Sequence, residues 1–173
     1  NVDWTLNTSV KIPDSAPYTA PYWLQKESTI GMYNVEDLTL RGQPETPRFV
    51  KVRWSFTVAG VPLDYESVVA FKAGESAMGE VWRPFEILPP VFVECAEASY
   101  LFSDKEKNVS VRVKAGSDNV SGIAGIQAPA GWTVSNVGDN TFNFKKKGEE
   151  KTFLFKVNAA SGAADGQLAP FAR

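Results

Sequence analysis

The feature that most constrains the fold is a strict alternation of apolar and polar residues between positions 49 and 71. On the outgoing run the apolar residues share one side of an extended chain: Val50, Val52, Trp54, Phe56 and Val58. After a turn at Ala59-Gly60-Val61-Pro62, the return run alternates in the same way: Leu63, Tyr65, Ser67, Val69 and Phe71. A period of two residues indicates β-strands, and two such runs joined by a glycine turn indicate an antiparallel hairpin with one solvated face. We therefore predict that Trp54 lies in a core.

Similar short alternating runs fill the rest of the chain, and turn residues recur about every 8–12 residues. No stretch has a convincing helical period of 3.6 residues. We predict a loop at Lys72–Glu80 and strands at 2–12, 81–88, 91–96, 109–113, 122–126, 132–134, 142–144 and 153–157. The sequence thus predicts an all-β protein.

A change of character near Pro89-Pro90 divides the chain. Tryptophan, tyrosine and proline are dense before this pair, and small residues with short alternating runs follow it. Two consecutive prolines cannot lie within a central strand, because proline has no N–H for the ladder. We predict two tandem antiparallel β-sandwiches of the immunoglobulin or fibronectin-III type. The first spans 1–89 and carries an aromatic, proline-rich loop; the second spans 90–173 and is cut short at its C-terminus.

The composition argues against several functions. There is no histidine and only one cysteine, Cys95, in 173 residues. Ser-His-Asp and Cys-His catalysis and an ordinary transition-metal site are therefore excluded, and we expect no cofactor and no metal. The net charge of −2 gives no basis for nucleic-acid binding. No apolar run approaches the roughly 18–20 residues of a membrane span.

Six residues are candidates for a contact with a neighbouring domain or a glycan. Four are aromatic and lie in or near the proline-rich loop: Tyr18, Tyr22, Trp23 and Tyr33. Such rings can close a sandwich core, pack on a neighbouring domain or stack on a sugar, and the sequence leaves all three open. Arg83 and Glu86 are the polar candidates, interpreted as an interdomain contact. Trp132, after the turn at Pro129-Ala-Gly131, is interpreted as a core residue.

Two segments resemble known bacterial families. The first half contains Pro21-Tyr-Trp-Leu24, Gly31-Met-Tyr33, Gly79-Glu80 and Arg83-Pro-Phe-Glu-Ile-Leu-Pro-Pro90. It resembles the region that follows the catalytic domain in large PIG-L (LmbE-like) deacetylases. The second half contains Pro129-Ala-Gly-Trp132 and the run Thr152-Phe-Leu-Phe-Lys-Val157. It resembles the alpha-galactosidase-associated (NPCBM-associated) domain that accompanies carbohydrate-active enzymes.

This resemblance implies a function without catalysis in the chain itself. PIG-L enzymes remove acetyl groups from N-acetylglucosamine-type sugars with a zinc held by an H-P-D-D type motif and a later histidine, and the chain contains neither. We therefore expect a structural accessory region of a secreted or periplasmic enzyme. Its partners would be neighbouring domains of the same polypeptide, with the catalytic domain upstream, and both ends of the chain read as cuts. The alternative is a carbohydrate-binding module that contacts glycans through exposed aromatic residues.

Overall fold

The computed structural model describes residues 5–77, 79–102, 106–159, 162 and 165–173. The chain divides into two compact units, Asn1–Leu88 and Pro89–Arg173, which we call unit 1 and unit 2. Every strand pair in the described residues is antiparallel, and the helical segments described there are short 3-10 turns at Tyr22–Leu24 and Leu38–Leu40. The all-β antiparallel fold class is therefore confirmed.

Unit 1 is built on two hairpins. Its strands are β1 (Lys51–Val58), β2 (Val61–Val68), β3 (Ala70–Ser76) and β4 (Gly79–Pro84), and they form the two-stranded sheets β1-β2 and β3-β4. Ala59 and Gly60 join β1 to β2 with φ of 49° and 82°. Two successive residues with positive φ make a type I′ turn, whose twist matches that of the flanking strands.

Three expectations for unit 1 were wrong. Residues 5–12 of the expected strand at 2–12 form no strand, and residues 1–4 lie outside the described part of the chain. The expected loop at 72–80 instead belongs largely to β3 and β4. Trp54 is 47 % exposed rather than in a core, because a two-stranded sheet has no second layer to cover its apolar face.

Unit 2 contains two sheets that enclose a core. Its strands are β5 (Val91–Cys95), β6 (Lys107–Ala115), β7 (Val120–Gln127), β8 (Thr133–Val137), β9 (Thr141–Phe144), β10 (Glu150–Asn158) and β11 (Ala169–Ala172). One sheet has the order β5-β6-β10-β8 and the other the order β11-β7-β9. In an immunoglobulin constant domain the third strand pairs with the sixth, whereas here the third strand of the unit, β7, pairs with β9 and β11.

The core of unit 2 follows directly from the alternation in its strands. Inward positions of β6 and β10 are fully buried, and their outward neighbours are exposed or half-buried. The buried residues are all apolar: Val109, Val111, Val113, Ala115, Ala124, Ile126, Phe142, Phe144, Phe153, Phe155 and Val157. Trp132 is half-buried against this cluster, in agreement with its predicted core role. The centre of its ring lies 4.9 Å from the centre of the Phe102 ring, in an edge-on arrangement.

A glycine allows β11 to pack closely on β7. Phe171 pairs with Gly125 in the ladder, and its ring occupies the space where a Cβ of residue 125 would project. The guanidinium of Arg173 lies 4.6 Å from the centre of the same ring. The last strand is therefore fixed by an aromatic ring that needs a residue without a side chain opposite it.

Candidate functional site

A shallow pocket in unit 1 brings together the proline-rich loop and the segment that precedes β1. Its volume is about 160 Å³, and it is lined by Thr19, Ala20, Pro21, Trp23, Glu45, Thr46, Arg48 and Glu86. This volume is below the roughly 300–1,000 Å³ of typical small-molecule sites. The pocket can therefore admit one sugar ring or one side chain.

The loop that carries Trp23 is held by hydrogen bonds from two threonines. The Tyr22 amide donates to Thr46 Oγ1 over 2.8 Å, and that hydroxyl donates to the Ala20 carbonyl over 2.9 Å. The Thr19 amide donates to the Ile87 carbonyl over 2.7 Å, and the Ile87 amide donates to Thr19 Oγ1 over 2.9 Å. Because no ladder pairs these backbone groups, the threonine hydroxyls take the place of a neighbouring strand.

Arg48 is the centre of charge in the pocket. Its side chain is only 15 % exposed, and Nη2 lies 2.8 Å from Glu45 Oε2 while Nη1 lies 3.3 Å from Glu86 Oε1. The two carboxylates exceed the guanidinium by one negative charge, so the group as a whole is acidic. Because the guanidinium of Arg48 bonds to both carboxylates, it fixes the orientation of both of them.

The structure brings together only some of the predicted site residues. Trp23 and Glu86 line the pocket. Tyr22 lies next to it, with its ring 4.9 Å from that of Trp23 at an angle of 86° and its hydroxyl 3.2 Å from the Gln43 carbonyl. Tyr18 and Tyr33 are exposed and do not line the pocket.

The two predicted polar residues have different surroundings. Glu86 binds Arg48, which belongs to the same unit. Arg83 lies in β4, where it pairs with Phe71 of β3 in the ladder. The structure therefore does not group Arg83 with Glu86 in this pocket, and an interdomain contact by either residue stays a prediction.

Sequence reasoning missed Glu45, Thr46 and Arg48. Thr46 lies 24 residues from the Tyr22 amide that it binds, so no local spacing links the two. The only available signal was the density of polar residues in Glu45-Thr46-Pro47-Arg48, which is equally typical of a surface turn.

The pocket places hydrogen-bond acceptors beside an aromatic ring. Glu45 and Glu86 each keep one carboxylate oxygen outside the bond to Arg48, and those oxygens can accept hydrogen bonds from hydroxyl or ammonium groups. Trp23 supplies a flat apolar surface beside them. These groups can accept hydrogen bonds from a ligand that packs on the indole.

Glu80, on β4, is a carboxylate outside the pocket that is bound by its neighbours. The pKa of Glu80 is lowered mainly by the Lys72 ammonium, 2.8 Å away, and further by the Trp82 indole N–H at 3.1 Å.

Within the described residues, no three aspartate, glutamate, cysteine or histidine side chains are grouped so that they could hold a metal ion. No helix in that part of the chain is long and apolar enough to span a membrane.

Comparison of the chain with protein-family models, with curated proteins and with solved structures found no match. A function for this chain can therefore be proposed only from its sequence, its fold and the geometry of the pocket.

Proposed function

We propose that the chain is a non-catalytic accessory region of an extracytoplasmic carbohydrate-active enzyme, of the PIG-L deacetylase type. Its task is to support and position a neighbouring catalytic domain of the same polypeptide. The enzyme class and the location outside the cytoplasm rest on the sequence resemblance. Immunoglobulin- or fibronectin-III-like ancestry of both units is part of this proposal, with the pairing of β7 in unit 2 as a departure from the immunoglobulin constant domain.

The observation that carries the proposal is the separation of interior and surface in unit 2. The eleven described buried side chains there are all apolar, and the ionic contacts are on the exposed faces, such as Arg112 with Glu94 at 3.1 Å and Lys156 with Glu106 at 2.8 Å. A domain that uses its strands entirely for packing has the character of a scaffold. In unit 1, Thr46 likewise fastens the proline-rich loop, while Arg48 joins Glu45 to Glu86.

The direct test is the reading frame that encodes these residues. We expect it to encode a zinc-dependent hydrolase domain on the N-terminal side. That domain should release acetate from N-acetylglucosamine oligosaccharides, whereas residues 1–173 alone should not. Acetate release by residues 1–173 alone, or a reading frame without such a domain, would refute the proposal.

A second candidate function is glycan binding, and the pocket beside Trp23 is the observation that favours it. Retardation of the chain in gels containing soluble polysaccharides would measure such binding. Trp23→Ala should abolish the retardation if the pocket binds sugar, and Tyr33→Ala is the matched control, because Tyr33 is exposed but does not line the pocket. Equal migration in gels with and without polysaccharide would exclude this function for the glycans tested.

A further inference from the structure

The β1-β2 hairpin carries a continuous uncharged surface, which we call the hairpin face. It consists of alternate residues of the two strands: Val52, Trp54, Phe56, Val58, Val61, Leu63, Tyr65 and Ser67. The ladder places Trp54 opposite Tyr65 and Phe56 opposite Leu63. The seven apolar members are between 37 % and 62 % exposed, so no described part of unit 1 covers this face.

The opposite side of the same hairpin shows which face is built for water. Arg53 Nη2 lies 3.0 Å from Asp64 Oδ2, and the Ser55 hydroxyl donates to Asp64 Oδ1 over 2.6 Å. Lys51 lies 3.7 Å from Glu66. The pKa of Asp64 is lowered first by the Ser55 hydrogen bond and then by Arg53. The charged residues of this side form hydrogen bonds and ion pairs with the opposite strand, so this side is the solvated one. The hairpin face, which has no charged residue, is the side suited to burial.

The hairpin face is large enough to form an interface. Full burial of an aromatic side chain removes about 150–250 Å² from water and that of an aliphatic one about 60–120 Å². At their observed exposures, the seven side chains offer on the order of 500 Å² per copy. Two such faces together bury about 1,000 Å², which is the lower limit for a specific protein interface.

The chemistry of the hairpin face suits a second copy of itself. A surface that meets its own copy doubles every charge it carries within one buried patch, so like charges on it would repel. All eight residues of this face are uncharged. The one indole N–H on it, that of Trp54, already donates to Ser67 Oγ over 3.0 Å, so burial leaves that donor satisfied.

We propose that the hairpin face is a homodimer interface in which two copies pack β1-β2 against β1-β2. The two sheets lie about 10 Å apart with their strands roughly aligned, as in a β-sandwich. The core that each hairpin lacks is then supplied by the other copy. This inference does not depend on the proposed enzyme association, because it concerns the chain by itself.

Sedimentation equilibrium of the 173-residue chain over a wide range of concentration tests the proposal. We expect a reversible change from 18.9 kDa to twice that mass. Phe56→Glu should raise the dimer dissociation constant by about 100-fold or more, because each carboxylate would be buried without a partner. Thr57→Glu, the adjacent residue on the solvated side, is the matched control and should leave the dissociation constant within about threefold.

A charge-swap experiment separates a lost interface from a lost fold. Phe56→Glu and Phe56→Lys copies should each be monomeric alone and should associate more tightly when mixed, because the shared interface then carries opposite charges in place of like charges. A wild-type chain that stays monomeric throughout would overturn the proposal. A dimer that Phe56→Glu leaves intact would do the same.

Discussion

Truncation of Phe155 to alanine should destabilise unit 2 more than any change on its surface. Phe155 lies on β10, between β6 and β8, where its ladder partners are Val109 and Asn136, and it is 1 % exposed. Replacement of a buried phenylalanine by alanine costs about 3–5 kcal/mol, since it loses transfer free energy and leaves a cavity.

The size of unit 2 decides what this loss means. Unit 2 runs from Pro89 to Arg173, and at about 0.05–0.15 kcal/mol per residue its free energy of unfolding is about 4–13 kcal/mol. The substitution therefore removes a quarter or more of that stability. If the free energy of unfolding is near 13 kcal/mol, Phe155→Ala leaves unit 2 folded but less stable. If it is near 4 kcal/mol, the substitution unfolds the unit.

Amide hydrogen exchange measured by mass spectrometry can follow this loss in unit 2 alone. Since each 1.4 kcal/mol is a factor of ten, the slowest amides of β6 and β10 should exchange about 100-fold to several thousand-fold faster in Phe155→Ala. Thr152→Ala is the control: Thr152 is an exposed residue of the same strand, and its substitution should change exchange by less than about threefold. Unchanged protection of β6 in Phe155→Ala would refute the assignment of this core.

Three further expectations concern turns, charge and close packing. Ala59→Asn should slow amide exchange in β1 and β2, with a gain of about 0.5–1 kcal/mol, because Ala59 has φ of 49° and asparagine tolerates that conformation better. Asp139 accepts hydrogen bonds from the hydroxyl and amide of Thr141, which lower its pKa in that order. A carboxyl with a lowered pKa in the folded state contributes stability above its ordinary pKa and loses it as the pH falls through the lowered value. Asp139→Asn should therefore flatten the acid side of a urea-unfolding series over that window, and an unchanged slope would contradict the assigned contact. Gly125→Val should expel the Phe171 ring and speed exchange in β11 and β7, whereas exchange at the wild-type rate would show that the ring is not held there.

The sequence predicted the strands of unit 2 well because their alternation is matched by burial. Val109, Val111 and Val113 are all fully buried, as their period of two residues indicates. The division of the chain at Leu88 and Pro89 falls where the two prolines interrupt the apolar runs. Local patterns are sufficient to predict a strand and its buried residues where that strand has a covered face and a solvated face.

Unit 1 shows where such patterns are insufficient. The alternation around Trp54 predicts a strand correctly, but it cannot tell whether a second layer covers that strand. The same limit applies to the pocket, in which Arg48 contacts Glu86 across 38 residues. Contacts between distant segments depend on tertiary packing, and no local spacing encodes them.

Hydrogen exchange of the intact chain at two protein concentrations tests the central structural claim, that unit 2 has a closed core and the hairpin face of unit 1 is an interface. We expect the amides of β6 and β10 to be protected equally at both concentrations. The amides of β1 and β2 should be protected only at the high concentration, where the hairpin face is covered by a second copy. Protection of β1 and β2 that does not change with concentration, or weak protection of β6 and β10, would contradict this claim.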